Sequence, residues 1–224
     1  MHVIYRMCGI QSSNPSPVFW EDKQSLNSLC LDSFFEEFKE VRPYTIFLMD
    51  HCKDEDFVSV QKCPFPYEMR RSTLGINETM LESYRIASEL PNDEEVLFQE
   101  CDYVYRPGVA ETFRDALHEF DIVSPYDHKN FYMAPDIHSD VCQIRLFQGT
   151  HFRTVERDTM TWGCLARVVK ECLPILNMYG YLDSDVWHML RELRGKKLWV
   201  PIPSFATHMA KDWLAPSVEW EKLW

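Results

Sequence analysis

The chain predicts an α/β fold with a mostly parallel central sheet flanked by helices, plus a small antiparallel element in its C-terminal half. Three observations carry this. Short apolar runs end in carboxylates, Tyr44 to Met49 before Asp50 and Glu95 to Cys101 before Asp102, as buried strands finishing at a ligand crevice do. Segments with apolar residues at helical spacing separate them, which implies βαβ units with right-handed crossovers. Over 224 residues, 46% are hydrophobic and 14% aromatic, with no low-complexity tract and no internal repeat, enough for one ordered domain spanning 1–224.

Val3 to Met7 reads as the first strand, and Asn14, Pro15 and Pro17 mark a loop behind it. Leu26, Leu29, Cys30, Phe34 and Phe38 then set a helical period before the strand from Tyr44. Tyr67 to Arg71 is a weaker strand. Ile76, Met80, Tyr84 and Ala87 mark a helix over Gly75 to Leu90 that stops before Pro91, because the residue preceding a proline resists the helical conformation. With the strand from Glu95, residues 1–107 read as a nucleotide-binding half.

Residues 108–224 make the second half. A helix over Val109 to Phe120 leads into Asp121 to Ser124 and a polar loop through Asp136 to Asp140. Val141 to Phe147 alternates weakly, as an antiparallel strand does. Thr161 to Met178 and Ser184 to Arg194 are helical by pattern, the latter stopped by Gly195. Leu198 to Ile202 is a last strand, and three tryptophans in the tail from Lys211 staple it to the body.

Net charge is −12 and no Lys/Arg cluster exceeds a pair, so the footprint of a nucleic-acid binder is missing. The eight cysteines form no CxxC pair and several lie in apolar segments, which argues against a zinc cage or a disulfide framework and for a reducing, cytoplasmic setting. No apolar run reaches the length of a transmembrane segment.

The stretch PNDEEVLFQECDYVYRP, Pro91 to Pro107, concentrates the chemistry. Glu100 and Asp102 follow a buried strand, where carboxylates either hold a divalent cation that carries phosphate or form a solvated turn. Around it, in order, stand Tyr5-Arg6, Leu48-Met49-Asp50, GINETML, FQECDY, HFRT from His151, TMTW from Thr159, LDSDVW from Leu182 and PIPSFATH from Pro201. In that order and over nearly the full length, the chain resembles small GT-A glycosyltransferases related to the inverting family-2 enzymes and to compact viral and bacterial members.

The resemblance implies a nucleotide-sugar donor, by family habit a UDP-sugar, laid across the carboxyl ends of the strands. Mn2+ or Mg2+ would sit between its diphosphate and a DxD-like motif, here Glu100-Cys101-Asp102. The motif departs from the usual form in having Glu first and Cys in the middle. Asp102 and His208 are the implied metal ligands, His208 having a capped loop histidine as its alternative reading. Asp50 is either a nucleoside contact or a turn aspartate. Arg6 meets the base or diphosphate, or forms a surface ion pair, and Asn77 orients the diphosphate or caps its helix.

An inverting transfer needs a carboxylate that takes the acceptor hydroxyl's proton. Asp183 and Asp185 stand where family-2 enzymes keep that base; one caps the helix and the other, Asp185, catalyses. His151, Arg153 and Thr159 are expected near the acceptor or donor sugar. Trp162, Trp187 and Trp213 are sugar-stacking candidates that at helical spacing also read as core. The expected partners are a nucleotide-sugar donor and a glycan acceptor. The competing functions are a sugar-phosphate nucleotidyltransferase, disfavoured by the lysine-free YRMCGIQSSNPSP loop, and a non-catalytic glycan-binding module.

Overall fold

The computed structural model describes residues 1–133, 142–158, 160–182 and 185–223. Strands β1 (His2–Cys8), β2 (Tyr44–Asp50), β3 (Tyr67–Ser72) and β4 (Glu95–Glu100) form a parallel block in the order β3-β2-β1-β4. The sheet continues through β9 (Trp162–Leu165), β6 (Ile122–Val123), β10 (Leu198–Ile202), β8 (Thr150–Val155) and β7 (Ile144–Phe147). Only β9 and β8 run against the rest, so the sheet is mostly parallel.

Helices cover both faces, because the parallel strands are apolar on both sides. Helices α1 (Lys23–Phe38), α2 (Asp54–Val60) and α4 (Ala110–Glu119) share one core with Tyr5, Phe47 and Leu97. Helices α3 (Ile76–Glu89), α6 (Ala166–Tyr179) and α7 (Asp185–Arg194) share the other with Ile4, Leu48 and Phe98. On that second face the Tyr84 hydroxyl donates to the Gly180 carbonyl at 2.8 Å, and Phe98 packs on Trp162 with ring centroids 4.4 Å apart. Trp187 closes the cluster edge-on to Trp162.

The sequence expectation of a helix from Thr161 is corrected here. Trp162 to Leu165 form β9, wedged antiparallel between β4 and β6, and the helix begins only at Ala166. All four β9 residues are buried, so no polar alternation marks the strand. Gly163 is what lets it fit: a Cβ there would lie 2.8 Å from the Val96 carbonyl oxygen and 3.1 Å from Leu117. Helices α2 and α5 (Asn130–Met133) and strands β5 (Tyr103–Tyr105) and β11 (Ala206–His208) also escaped the pattern, being short, as did β8, whose His151, Arg153 and Thr154 break any apolar run. Residues 136–140, the expected polar loop, and Val141 lie outside the described residues, as do Thr159, Asp183 and Ser184; the antiparallel strand expected from Val141 is described over Ile144–Phe147.

The small antiparallel element takes two forms. Strands β7 and β8 form a hairpin at the sheet edge, and β5 pairs with β11 in a separate two-stranded sheet. The second matters for chemistry, since its register sets His208 opposite Tyr103, next to Asp102. The tail folds back as expected: Trp220 is buried, its indole donating to the Ala215 carbonyl at 2.8 Å.

Candidate functional site

Parallel register brings the ends of β1, β2 and β4 to one edge, with Cys8 beside Asp50 and Arg6 beside Glu100. A crevice of about 350 Å³ opens there, lined by Arg6, Lys23, Asp50, Glu100, Cys101 and Asp102 among others. This is the position where open α/β sheets bind ligands. Asn27 of α1 fixes its base by donating to the Cys8 carbonyl and to Asp56, both at 3.2 Å.

Arg6 is buried, and its guanidinium donates to Glu100 at 2.6 Å and to the Ile76 carbonyl at 3.2 Å. Its Nε is buried with no hydrogen-bond partner. Asp50, also buried, accepts from the Gly75 amide at 3.3 Å. Gly75 caps α3 at φ +96°, a backbone angle that glycine adopts without strain. Asn77, in the first turn of the same helix, is exposed, does not line the crevice, and leaves the cap position to Gly75.

Asp102 and His208 come together across the β5–β11 sheet, carboxylate oxygen to Nε2 at 3.1 Å. The imidazole stacks on Tyr103 with centroids 5.3 Å apart. Burial opposes charge on both groups, yet their mutual attraction prevails, so Asp102 lies below and His208 above its ordinary pKa. One carboxylate and one imidazole at one point suit a hard divalent cation that takes its remaining ligands from substrate phosphate and water. Glu100 is held by Arg6, and among the described residues no set of three His, Cys, Asp or Glu side chains is arranged as a metal cage.

The remaining sequence candidates lie elsewhere. Arg153 forms a part-buried ion pair with Asp127 at 2.5 Å and lies over the Phe131 and Tyr132 rings. Burial, opposed by Arg153 and Tyr132, raises the pKa of Asp127. His151 is exposed in the β7–β8 hairpin. Trp187 is a core residue whose indole donates to the Asp158 carbonyl at 3.0 Å, and Trp162 is likewise buried. Trp213 is half-buried against His128. Asp185 is exposed in the first turn of α7 and does not line the crevice.

Two residues that line the crevice, Lys23 and His51, and a buried carboxylate close in sequence to β9, Asp158, escaped the sequence reading. Lys23, in the first turn of α1, reaches the crevice and donates to the Cys101 thiol at 3.5 Å. A lysine at a helix N-terminus opposes the helix dipole, and that misplacement was the available signal. His51, at φ +51° after β2, lines the same crevice. Asp158 is buried just before β9, and its charge helps raise the pKa of Tyr103 and Tyr126, for both of which burial is the larger cause. Nothing in the sequence marks it, because it precedes its strand: β9 runs antiparallel to β4 and starts opposite the end of that strand. There the Thr161 hydroxyl accepts from the Glu100 amide at 3.1 Å.

No protein-family model and no curated protein sequence matches the chain. Solved structures do. A protein assigned as a nucleotide-diphospho-sugar transferase of Desulfovibrio desulfuricans G20 superposes with a TM-score of 0.50 at 10% identity, covering 88% of this chain and 78% of that one. An active-site mutant of LgtC gives 0.50 at 11%, covering 88% and 72%. A protein assigned as a glucose-1-phosphate thymidylyltransferase of Bacillus anthracis, solved with sucrose, gives 0.51 at 8%, covering 91% of each chain. At these identities the likeness is one of fold: the chain has the α/β architecture shared by nucleotide-sugar transferases and nucleotidyltransferases.

Proposed function

We propose that the chain is a metal-dependent glycosyltransferase that moves a sugar from a nucleotide diphosphate, by default a UDP-sugar, to a glycan hydroxyl with inversion. The observation that supports this most is the crevice itself, where Arg6, Asp50, Glu100 and Asp102 converge at the carboxyl ends of three parallel strands. Arg6 brings a cation with an unpartnered Nε, and Asp50 offers a buried carboxylate for a nucleoside hydroxyl or base. Asp102 and His208 would hold Mn2+ or Mg2+, which when bound neutralises charge on the departing diphosphate as a Lewis acid. Glu100, engaged by Arg6, positions that arginine. The eight free cysteines favour a reducing, cytoplasmic setting, and among the described residues no helix is long and apolar enough to cross a membrane.

Asp185 is the proposed base. Two residues on, the Trp187 indole donates to the Asp158 carbonyl, and nearby in sequence the Thr161 hydroxyl accepts from the Glu100 amide. Arg153 and His151, on β8, would face the acceptor. The deciding experiment is a thermal-shift panel of nucleotide sugars with Mn2+, followed by an assay of nucleoside diphosphate release with candidate glycans. A bound donor raises the melting temperature by mass action and identifies itself. Stabilisation by no member of the panel would refute the proposal, and binding without release would indicate a non-catalytic module.

One observation favours a second reading. Lys23 supplies the crevice with the lysine that the loop after β1 lacks, as a sugar-phosphate nucleotidyltransferase requires. Release of pyrophosphate from a nucleoside triphosphate and a sugar phosphate would select that reaction.

A further inference from the structure

Among the described residues, every charged group of the crevice but one has a charged or backbone amide partner. Arg6 meets Glu100 at 2.6 Å and His208 meets Asp102 at 3.1 Å, while Asp50 accepts from a backbone amide. Lys23 has no carboxylate within ion-pair reach among the described residues; its one hydrogen bond goes to the Cys101 thiol at 3.5 Å. A thiol is a weak acceptor, and an ammonium carries three donors. The group is half-buried, wedged between α1 and the end of β4.

Lys23 lines the crevice with Asp102, and a lysine ammonium is charged at neutral pH. The ammonium is therefore charged and under-coordinated inside a crevice whose own carboxylates are engaged elsewhere. Asp22 caps the helix through the Ser25 amide at 3.0 Å, so Lys23 is not needed there. At the first turn of α1 it stands against the helix dipole, an arrangement that costs stability unless an anion shares the site.

We infer that Lys23 binds the diphosphate of the nucleotide ligand directly, so that the crevice retains a diphosphate even without a divalent cation. The inference rests on the crevice being a nucleotide site, as proposed above. It adds a cation contributed by α1, separate from Asp102 and His208, and makes the metal an enhancer of binding and not its sole source. The Cys101 thiol acts as a rest for the ammonium: it orients Lys23 without neutralising it, which an aspartate at that position would do.

The test is calorimetry with inorganic pyrophosphate in excess EDTA, on the parent, Lys23→Gln, Lys23→Arg and the surface control Lys39→Gln. The parent binds, Lys23→Gln weakens binding roughly tenfold or more, as loss of a charge-assisted hydrogen bond does, and Lys23→Arg and Lys39→Gln stay close to the parent. In parallel, acetylation of the parent by an amine-reactive ester, mapped by mass spectrometry, slows at Lys23 but not at Lys39 when pyrophosphate is present. This second measurement needs no folded variant. Equal affinity of Lys23→Gln and the parent, or acetylation of Lys23 unaffected by pyrophosphate, overturns the inference. A parent that binds pyrophosphate with Mn2+ but not in EDTA overturns it while sparing the nucleotide-site reading. A parent that binds with neither overturns both.

Discussion

Replacing Asp102 by Asn tests the pair at the heart of the crevice without metal or substrate. Both side chains are about one-fifth exposed, 22% for Asp102 and 19% for His208, so their attraction is only partly screened. At 3.1 Å two unit charges attract by about 1.3 kcal/mol even at the dielectric constant of water. The amide still accepts a hydrogen bond from a neutral imidazole, so only the charge-assisted part is lost, about 1 to 1.5 kcal/mol by the same comparison of bond types. The pH dependence carries the sign. His208 is raised above 6.5, so its contribution is complete below that pH and is lost as pH rises through its folded value. Asp102 is lowered from 3.8, so its contribution is complete above that pH and is lost as pH falls through its folded value. Urea unfolding of parent and Asp102→Asn in EDTA, from pH 4 to 9, should therefore show the largest gap near pH 5 to 6 and a shrinking gap toward alkaline pH. A gap that is flat across the range, or that widens at high pH, would refute the ion pair.

Asp185→Asn should leave donor binding intact while lowering nucleoside diphosphate release by a factor on the order of 100; unchanged turnover in a parent-competent assay removes Asp185 as the base. Gly163→Ala should cost about 2 kcal/mol or more in urea midpoint analysis, because its Cβ would meet the Val96 carbonyl at 2.8 Å, and a neutral outcome means β9 is not wedged between β4 and β6. Trp187→Phe should lose about 2 kcal/mol of stability through its bond to Asp158 and its contact with Trp162. Donor binding should change little, and a large loss of acceptor affinity at unchanged stability would restore Trp187 to the sugar site.

Most of the parallel block was legible because β1, β2 and β4 are apolar on both faces, β2 and β4 close in carboxylates, and α1 and α3 between the strands keep a helical period. Asp50, Glu100 and Asp102 follow from that reading, since parallel register alone carries them to one edge. His208 is different: its place depends on a three-residue pairing with Tyr103–Tyr105, too short to leave a pattern. Lys23 and Asp158 were invisible for opposite reasons. One reaches the crevice by side-chain length from a helix expected to be structural, and the other precedes a strand whose direction only long-range pairing decides. Trp187 shows the converse limit: an aromatic near aspartates looks functional in a string of letters, while its ring is spent on the core.

The insertion of β9 sets the order of synthesis against the order of the sheet. Strand β4 is complete at residue 100, but the neighbour that seals its free side arrives only with residues 162–165. At translation speeds of 5–20 residues per second, that interval is about 3 to 13 s. Throughout it Val96, Leu97 and Phe98 border an unpaired row of backbone amides and carbonyls, the kind of template on which nascent chains associate. The acidic flank Asp93-Glu94-Glu95 at the start of that strand repels a second copy during the wait, a gatekeeping duty that outlasts neither the ribosome nor the closing of the sheet.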